Sequence, residues 1–184
     1  MAKIIVNTTE VSVLNLNGED YICLTDMMKA KDGEFFNYYD YIMFDTPPNI
    51  GICTQNALHI SDHIILVTDP DCNSARGTDV FLALWNEAIA MSGGENHIDA
   101  LILNNMERTK MSAMTDEYIR NHEVFSHIKL NTMVPHSTRF KECAEQNKPI
   151  SLIATKNKKD EQSRAKAEQA IRDVITELKE RGIL

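Results

Sequence analysis

From Tyr39 onward, short apolar runs alternate with longer stretches whose apolar residues recur every three or four positions. The short runs predict β-strands over 40–45, 63–68, 98–104 and 127–133. The longer stretches predict α-helices over 52–60, 76–91, 112–122, 139–146 and 161–181. Alternating strands and helices point to an α/β fold, a mostly parallel sheet with helices on both faces. Ser92-Gly93-Gly94 stops the second helix. The last helix carries Ala167, Ala170, Ile171, Val174, Ile175 and Leu178 on one stripe, a core-packing face.

The opening is written differently. Val11 and Val13 alternate with polar neighbours, and Leu14 and Leu16 continue the run with one slip in phase. Asn17-Gly18 follows, a strong signal for a tight hairpin turn, and Tyr21-Ile22-Cys23-Leu24 supplies the return strand. Thr25 reads as an N-cap and Gly33 as a stop, so a short helix is expected over Asp26 to Lys31.

One stretch organises the rest: Tyr39-Asp40-Tyr41-Ile42-Met43-Phe44-Asp45-Thr46-Pro47-Pro48-Asn49-Ile50-Gly51. Asp45 stands at the end of an apolar run, and the two prolines after it cannot donate to a sheet ladder. Ligands of parallel sheets sit outside the carboxyl ends of the strands. A carboxylate there can hold Mg²⁺ beside a nucleotide phosphate, and it can equally cap the next turn.

At 184 residues the chain fits one domain with a small appendage. Its 43% apolar and 25% charged content is that of a globular protein, and no apolar run approaches the roughly 20 residues that span a bilayer. No membrane association and a cytoplasmic location are expected. Cys23, Cys53, Cys72 and Cys143 are scattered, with neither zinc spacing nor a disulfide framework. The net charge of −8 disfavours general nucleic-acid binding.

The segment Asp45-Thr46-Pro47-Pro48, followed by Gly51 and a helix ending in Ala57-Leu58, resembles the Walker B region of ParA/MinD-type partition ATPases. Ile64 to Asp71 is similar to that family's next strand and loop, and Ser74-Ala75-Arg76-Gly77 to the start of the following helix. Leu101-Ile102-Leu103-Asn104 with Arg108-Thr109 looks like the strand bearing an adenine-contacting Asn. Val134-Pro135-His136-Ser137 and Glu142, ending at Lys148-Pro149-Ile150, looks like the late nucleotide-side loop. The likeness covers about residues 38 to 181. It implies ATP and Mg²⁺ as cofactors, Asp45 as the metal residue, and Asp45, Thr46, Asn104 and Pro135 as nucleotide-side positions.

The family's Gly-Lys-Thr phosphate loop does not occur in these 184 residues. That loop cradles phosphates with consecutive backbone N–H groups and a Lys. Here Gly93-Gly94 is followed by Glu95-Asn96, and Gly33 by Glu34-Phe35. The expected fold is therefore a P-loop NTPase of this type, shortened at its start, with no ATP turnover by this chain alone. Loss of the central phosphate-loop strand would leave an apolar gap, so one strand within residues 3 to 24 is expected to join the parallel sheet.

Ile4-Ile5-Val6, Val11-Ser12-Val13, Glu19 to Met27 and Lys29-Ala30-Lys31-Asp32-Gly33 resemble the first third of a KilA-N domain, a phage and bacterial DNA-associated module. The expected division is a KilA-N-like fragment over 1–36 and a ParA-like part over 37–184.

Elsewhere, His59 and His63 lack the zinc-protease pattern, and His122, His127 and His136 lie in separate elements. Arg139 to Lys166 carries a local excess of positive charge. The ParA resemblance implies non-specific DNA contact there through Arg139, Lys141, Lys156, Lys158, Lys159 and Arg164; a solvated face is the alternative.

Three functions follow. The first is a degenerate partition protein that works with an intact ParA-like ATPase, a ParB-like protein, non-specific DNA or further copies of itself. The second is an ATPase subunit whose phosphate-binding half comes from another chain. The third is a phage-derived fusion remnant without selected activity.

Overall fold

The computed structural model describes residues 2–6, 9–16, 19–22, 41–47, 49–92 and 95–184. The chain divides into two compact units, Met1–Ser61 and Asp62–Leu184. The short helix expected over Asp26 to Lys31 lies outside the described residues.

The first unit holds a three-stranded antiparallel sheet in the order β1-β2-β3, with β1 over Ala2–Val6, β2 over Thr9–Leu16 and β3 over Glu19–Ile22. Leu16 pairs with Glu19, so β2 and β3 form the hairpin that Asn17-Gly18 predicts. Val13 pairs with both Ala2 and Ile22, and the slip in the apolar pattern falls where β2 passes from one neighbour to the other. These three strands form a sheet of their own. The expectation that one of them joins the parallel sheet is not met among the described residues: β1, β2 and β3 pair only with one another.

The strand expected over 40–45 also does not form in the described part. Residues 41–47 have no ladder assignment. Their exposure alternates as in a strand, with Tyr41 57% and Met43 82% exposed while Ile42 and Phe44 are half-buried. Apolar alternation supplies the side chains of a strand, but a strand also needs a neighbouring backbone to pair with. Asn49 Oδ1 then accepts from Gly51 N at 3.0 Å, and α1 runs over Ile52–His59 with Thr54, Ala57 and Leu58 buried.

The second unit is α/β. Strand β4 (Ile64–Thr68) pairs in parallel with β5 (Ile98–Leu103). The crossover between them is α2 (Cys72–Ser92). It starts earlier than the apolar spacing predicts because Asp71 caps it: Oδ1 accepts from Asn73 N and Ser74 N, both at 2.9 Å, and Oδ2 from Ser74 Oγ at 2.7 Å. Gly77 lies inside this helix, where glycine costs roughly 1 kcal/mol against alanine.

Beyond β5 come α3 (Lys110–Asn121), the single turn α4 (Phe125–Ile128), α5 (Thr138–Gln146), a 3₁₀ turn (Ile150–Leu152) and α6 (Lys158–Glu180). Thr109, Ser137 and Asn157 cap α3, α5 and α6 with side-chain oxygens. Gly182, at φ 71°, ends α6, with Ile183 N bonded to Leu178 O at 3.0 Å.

The strand expected over 127–133 reduces to one parallel bridge, Leu101 to Lys129. Side chains of α6 take over the role of a ladder partner. Glu177 accepts from Asn131 N and Thr132 N, both at 2.8 Å, while Arg181 donates to Ile128 O at 3.2 Å and Lys129 O at 2.8 Å. The core of this unit joins Ala100, Ile102, Leu130 and Val134 to Val174, Leu178 and Ile183. The apolar stripe of α6 is narrower than expected: Ala167, Val174 and Leu178 are buried, but Ile171 and Ile175 are exposed. No helix of the described residues is long and apolar enough to cross a membrane.

Candidate functional site

The carboxyl ends of β4 and β5, with the loop before α5, make the edge where parallel sheets place ligands. β4 ends at Thr68, whose carbonyl accepts from Asn104 N at 2.9 Å, so the two strand ends stay in step. Asn104 Nδ2 then donates to Asp69 Oδ1 at 3.2 Å, across the mouth between the strands. The next residue, Asn105, sits at φ 55°, a region Asn tolerates better than most side chains. That reversal brings its Oδ1 to 2.5 Å from His136 Nδ1, a bond that needs the proton on Nδ1. Glu107 Oε1 lies 3.6 Å from the same ring nitrogen.

The loop before α5 is held by backbone. Val134 N donates to Leu103 O, Met106 N to Val134 O and His136 N to Met106 O, each at 2.9 Å, and Met106 bridges Pro135 in parallel. Asn104 and Pro135 thus lie on one edge. Asp45 and Thr46 belong to the other compact unit, where Asp45 is exposed and Thr46 half-buried. Asp69, Asn105 and His136 were not singled out as site residues from sequence. An Asn-Asn pair directly after a buried strand is the signal that could have marked the reversal.

The basic candidates fall into two groups. Arg139 is committed to structure, reaching Glu142 Oε2 at 2.7 Å and Asp160 Oδ1 at 3.0 Å. Arg164 donates to Ser151 O and Ile153 O, both at 3.1 Å. Lys141, Lys156, Lys158 and Lys159 are exposed. Among the histidines, His63 pairs with Asp99 at 2.8 Å. His122 accepts at Nδ1 from Val124 N and Phe125 N, both at 3.2 Å. Among the described residues, no three His, Cys, Asp or Glu gather so as to hold a metal ion.

A family model described as an AAA domain matches residues 1–92. The chain belongs to this AAA domain family. The match takes in the three opening strands, the Asp45 to Gly51 stretch, β4 and all of α2. The AAA chain is also similar to named partition proteins. It is 26% identical over 115 residues to the sporulation initiation inhibitor protein Soj of Bacillus subtilis, covering 62% of this chain and 45% of Soj. It is 24% identical over 150 residues to the chromosome partitioning protein ParA of Myxococcus xanthus, covering 81% of this chain and 50% of that one. A ParA family protein of Chlamydia trachomatis is 28% identical over 116 residues, 63% of this chain and 44% of its own length. The AAA chain is therefore ParA-like, and it spans about half the length of these curated relatives.

Proposed function

We propose that this ParA-like chain is a partition-type component that works through interaction with partners and does not turn over ATP by itself. The observation that carries the reading is chemical. None of its lysines precedes Ser or Thr, and its adjacent glycines, Gly93-Gly94, lead into Glu95-Asn96. Phosphoryl transfer needs a backbone N–H nest and a Lys aimed at the β- and γ-phosphates. The family resemblance gives Asn104 and Pro135 as nucleotide-side positions and Asp45 as the Mg²⁺ residue. The group that grips phosphate has no counterpart in this sequence, so no catalytic step is assigned to these residues.

Partners of this reading are an intact ParA-like ATPase, a ParB-like protein, or DNA held by its backbone. The exposed Lys141, Lys156, Lys158 and Lys159 support the last, because phosphate contacts need charge and no base-reading geometry. Two assignments of residues 1–36 compete: a KilA-N-like fragment, and the opening of the AAA domain, whose match starts at residue 1. A second functional reading, an ATPase subunit completed by another chain, is favoured by the ordered loop edge around Asn104 and Pro135.

A steady-state phosphate-release assay with Mg²⁺ and ATP tests the proposal. The chain alone should release no phosphate above background. Turnover that disappears in Asp45→Ala overturns it.

A further inference from the structure

His122 stands where three helices meet, and its two ring nitrogens face different ones. It is the residue that ends α3. Its Nδ1 accepts from Val124 N and Phe125 N, both at 3.2 Å. These donors lie at the start of the single turn α4, where N–H groups have no carbonyl partner within the helix. A nitrogen that accepts two N–H bonds carries no proton, which puts the proton of the neutral ring on Nε2. Nε2 faces α2, 3.4 Å from Asp79 Oδ1. The ring is stacked on the buried Phe125, with centroids 4.1 Å apart and planes at 20°.

Asp79 supplies an independent observation. Its Oδ2 accepts from Tyr118 Oη at 2.5 Å, whereas its Oδ1 is buried and makes no hydrogen bond among the described residues. A buried carboxylate oxygen without a donor costs free energy. The neutral ring lies within reach of it but is held by the donors of α4. The other titratable groups on these elements leave His122 as the cation for that oxygen. Glu117 on α3 and Glu123 after it share an open surface hollow with the ring and Tyr118. α4 contributes His127, which is exposed, and runs on to Lys129, which is paired with Asp116. β5, packed against α4, contributes Asp99, which is paired with His63.

We propose that His122 is a proton-operated latch: neutral, it caps α4; protonated, it releases Val124 and Phe125 and closes onto Asp79. Protonation puts a hydrogen on Nδ1, where two N–H groups already point, so the cap does not survive it. The imidazolium gains a charge-assisted bond to the carboxylate in exchange. The proton thus replaces a tie between α3 and α4 by one between α3 and α2. α4 leads directly into Lys129 and Leu130, which meet β5 through the bridge to Leu101 and the bond from Leu130 N to Leu101 O at 2.8 Å. Loosening its first turn loosens the approach to that strand. The latch uses no nucleotide and no group of the loop edge around Asn104, so it stands apart from the functional reading above.

NMR of the full chain from about pH 8 to about pH 5, the range in which imidazoles change charge, is the test. The nitrogen shifts of the neutral His122 ring should show its proton on Nε2. As that ring titrates, amide protection at Val124 and Phe125 should fall with its neutral fraction, by about tenfold when one ring in ten is neutral. His122→Asn keeps a side-chain oxygen that caps such donors but takes up no proton, so protection should stay level across the range. His127→Asn removes the imidazole of α4 itself and should respond as the parent does. The first two readouts need only the parent protein. The proposal is overturned if the neutral ring carries its proton on Nδ1, if the ring stays neutral to about pH 5, or if protection holds while the ring titrates. It is equally overturned if folded His122→Asn loses protection as the parent does, or if His127→Asn abolishes the response.

Discussion

Glu177, in the last turn of α6, and Arg181, the residue that caps its C-terminus, are bonded to each other at 2.8 Å and jointly hold the backbone of residues 128 to 132. Burial pushes the Glu177 carboxyl up, but the backbone N–H groups of Asn131 and Thr132, with the Thr132 side chain and Arg181, outweigh it and bring the pKa down to about 2. A carboxylate depressed in the folded state stabilises at pH values above its unfolded pKa. That stabilisation is lost as the pH falls from about 4.5 towards about 2. Its size is about 3 kcal/mol at most. Glu177→Gln should therefore lower stability at pH 7 by about 2 kcal/mol and flatten the acid limb below pH 4.5. Urea unfolding of both proteins across that range checks it.

Asp116 should be more sensitive to removal than its partner Lys129. Lys129 is buried, with Nζ 3.2 Å from Asp116 Oδ1 and donating to Leu130 O at 3.0 Å. Arg120 reaches the other oxygen of Asp116 at 2.9 Å. Burial raises the Asp116 pKa, but the hydrogen bonds and charges of Arg120 and Lys129 prevail and lower it. Asp116→Ala strands a buried ammonium and should cost about 3 kcal/mol, whereas Lys129→Met leaves a carboxylate that is 20% exposed and still paired with Arg120, and should cost less. Chemical denaturation of the two variants gives the order.

The helix start at Asp71 can be tested separately. Ser74, through its hydroxyl and its backbone N–H, lowers the Asp71 pKa. Asp71→Ala should cost about 1 kcal/mol and fray the first turn of α2, with faster amide exchange at Asn73 and Ser74.

The basic segment should divide by role. Lys158→Glu with Lys159→Glu should weaken any DNA binding and reduce its salt slope by about 2, with little change in stability. Arg139→Ala should instead destabilise the fold by about 1–2 kcal/mol, since it removes the ties to Glu142 and Asp160. Filter binding at two salt concentrations, beside thermal melts, separates the two effects. Tight binding to one sequence that survives the lysine changes would point to the KilA-N-like opening.

Local signals carried most of the secondary structure. The hairpin at Asn17-Gly18, the strands at 64–68 and 98–103 and the five longer helices follow from turn residues, caps and periodicity. Two expected strands failed for a non-local reason. Residues 41–47 have strand-like alternation and residues 128–132 have the apolar content, but a ladder also requires a backbone at the right place. Around 128–132 that place is taken by Glu177 and Arg181, some 50 positions away in the chain. Asn104 and Pro135 were marked by resemblance, but the Asp69–Asn104 bond and the reversal at Asn105 depend on how two strand ends align.

The grip of α6 on residues 128 to 132 has one more consequence, for what the protein does in a crowded solution. An open sheet margin is a template on which another polypeptide can grow. Here the donors at Asn131 and Thr132 and the acceptors at Ile128 and Lys129 are already spoken for by one carboxylate and one guanidinium. That margin is sealed by side chains in place of a strand, and the half of the seal made by Glu177 weakens only as the pH falls towards about 2.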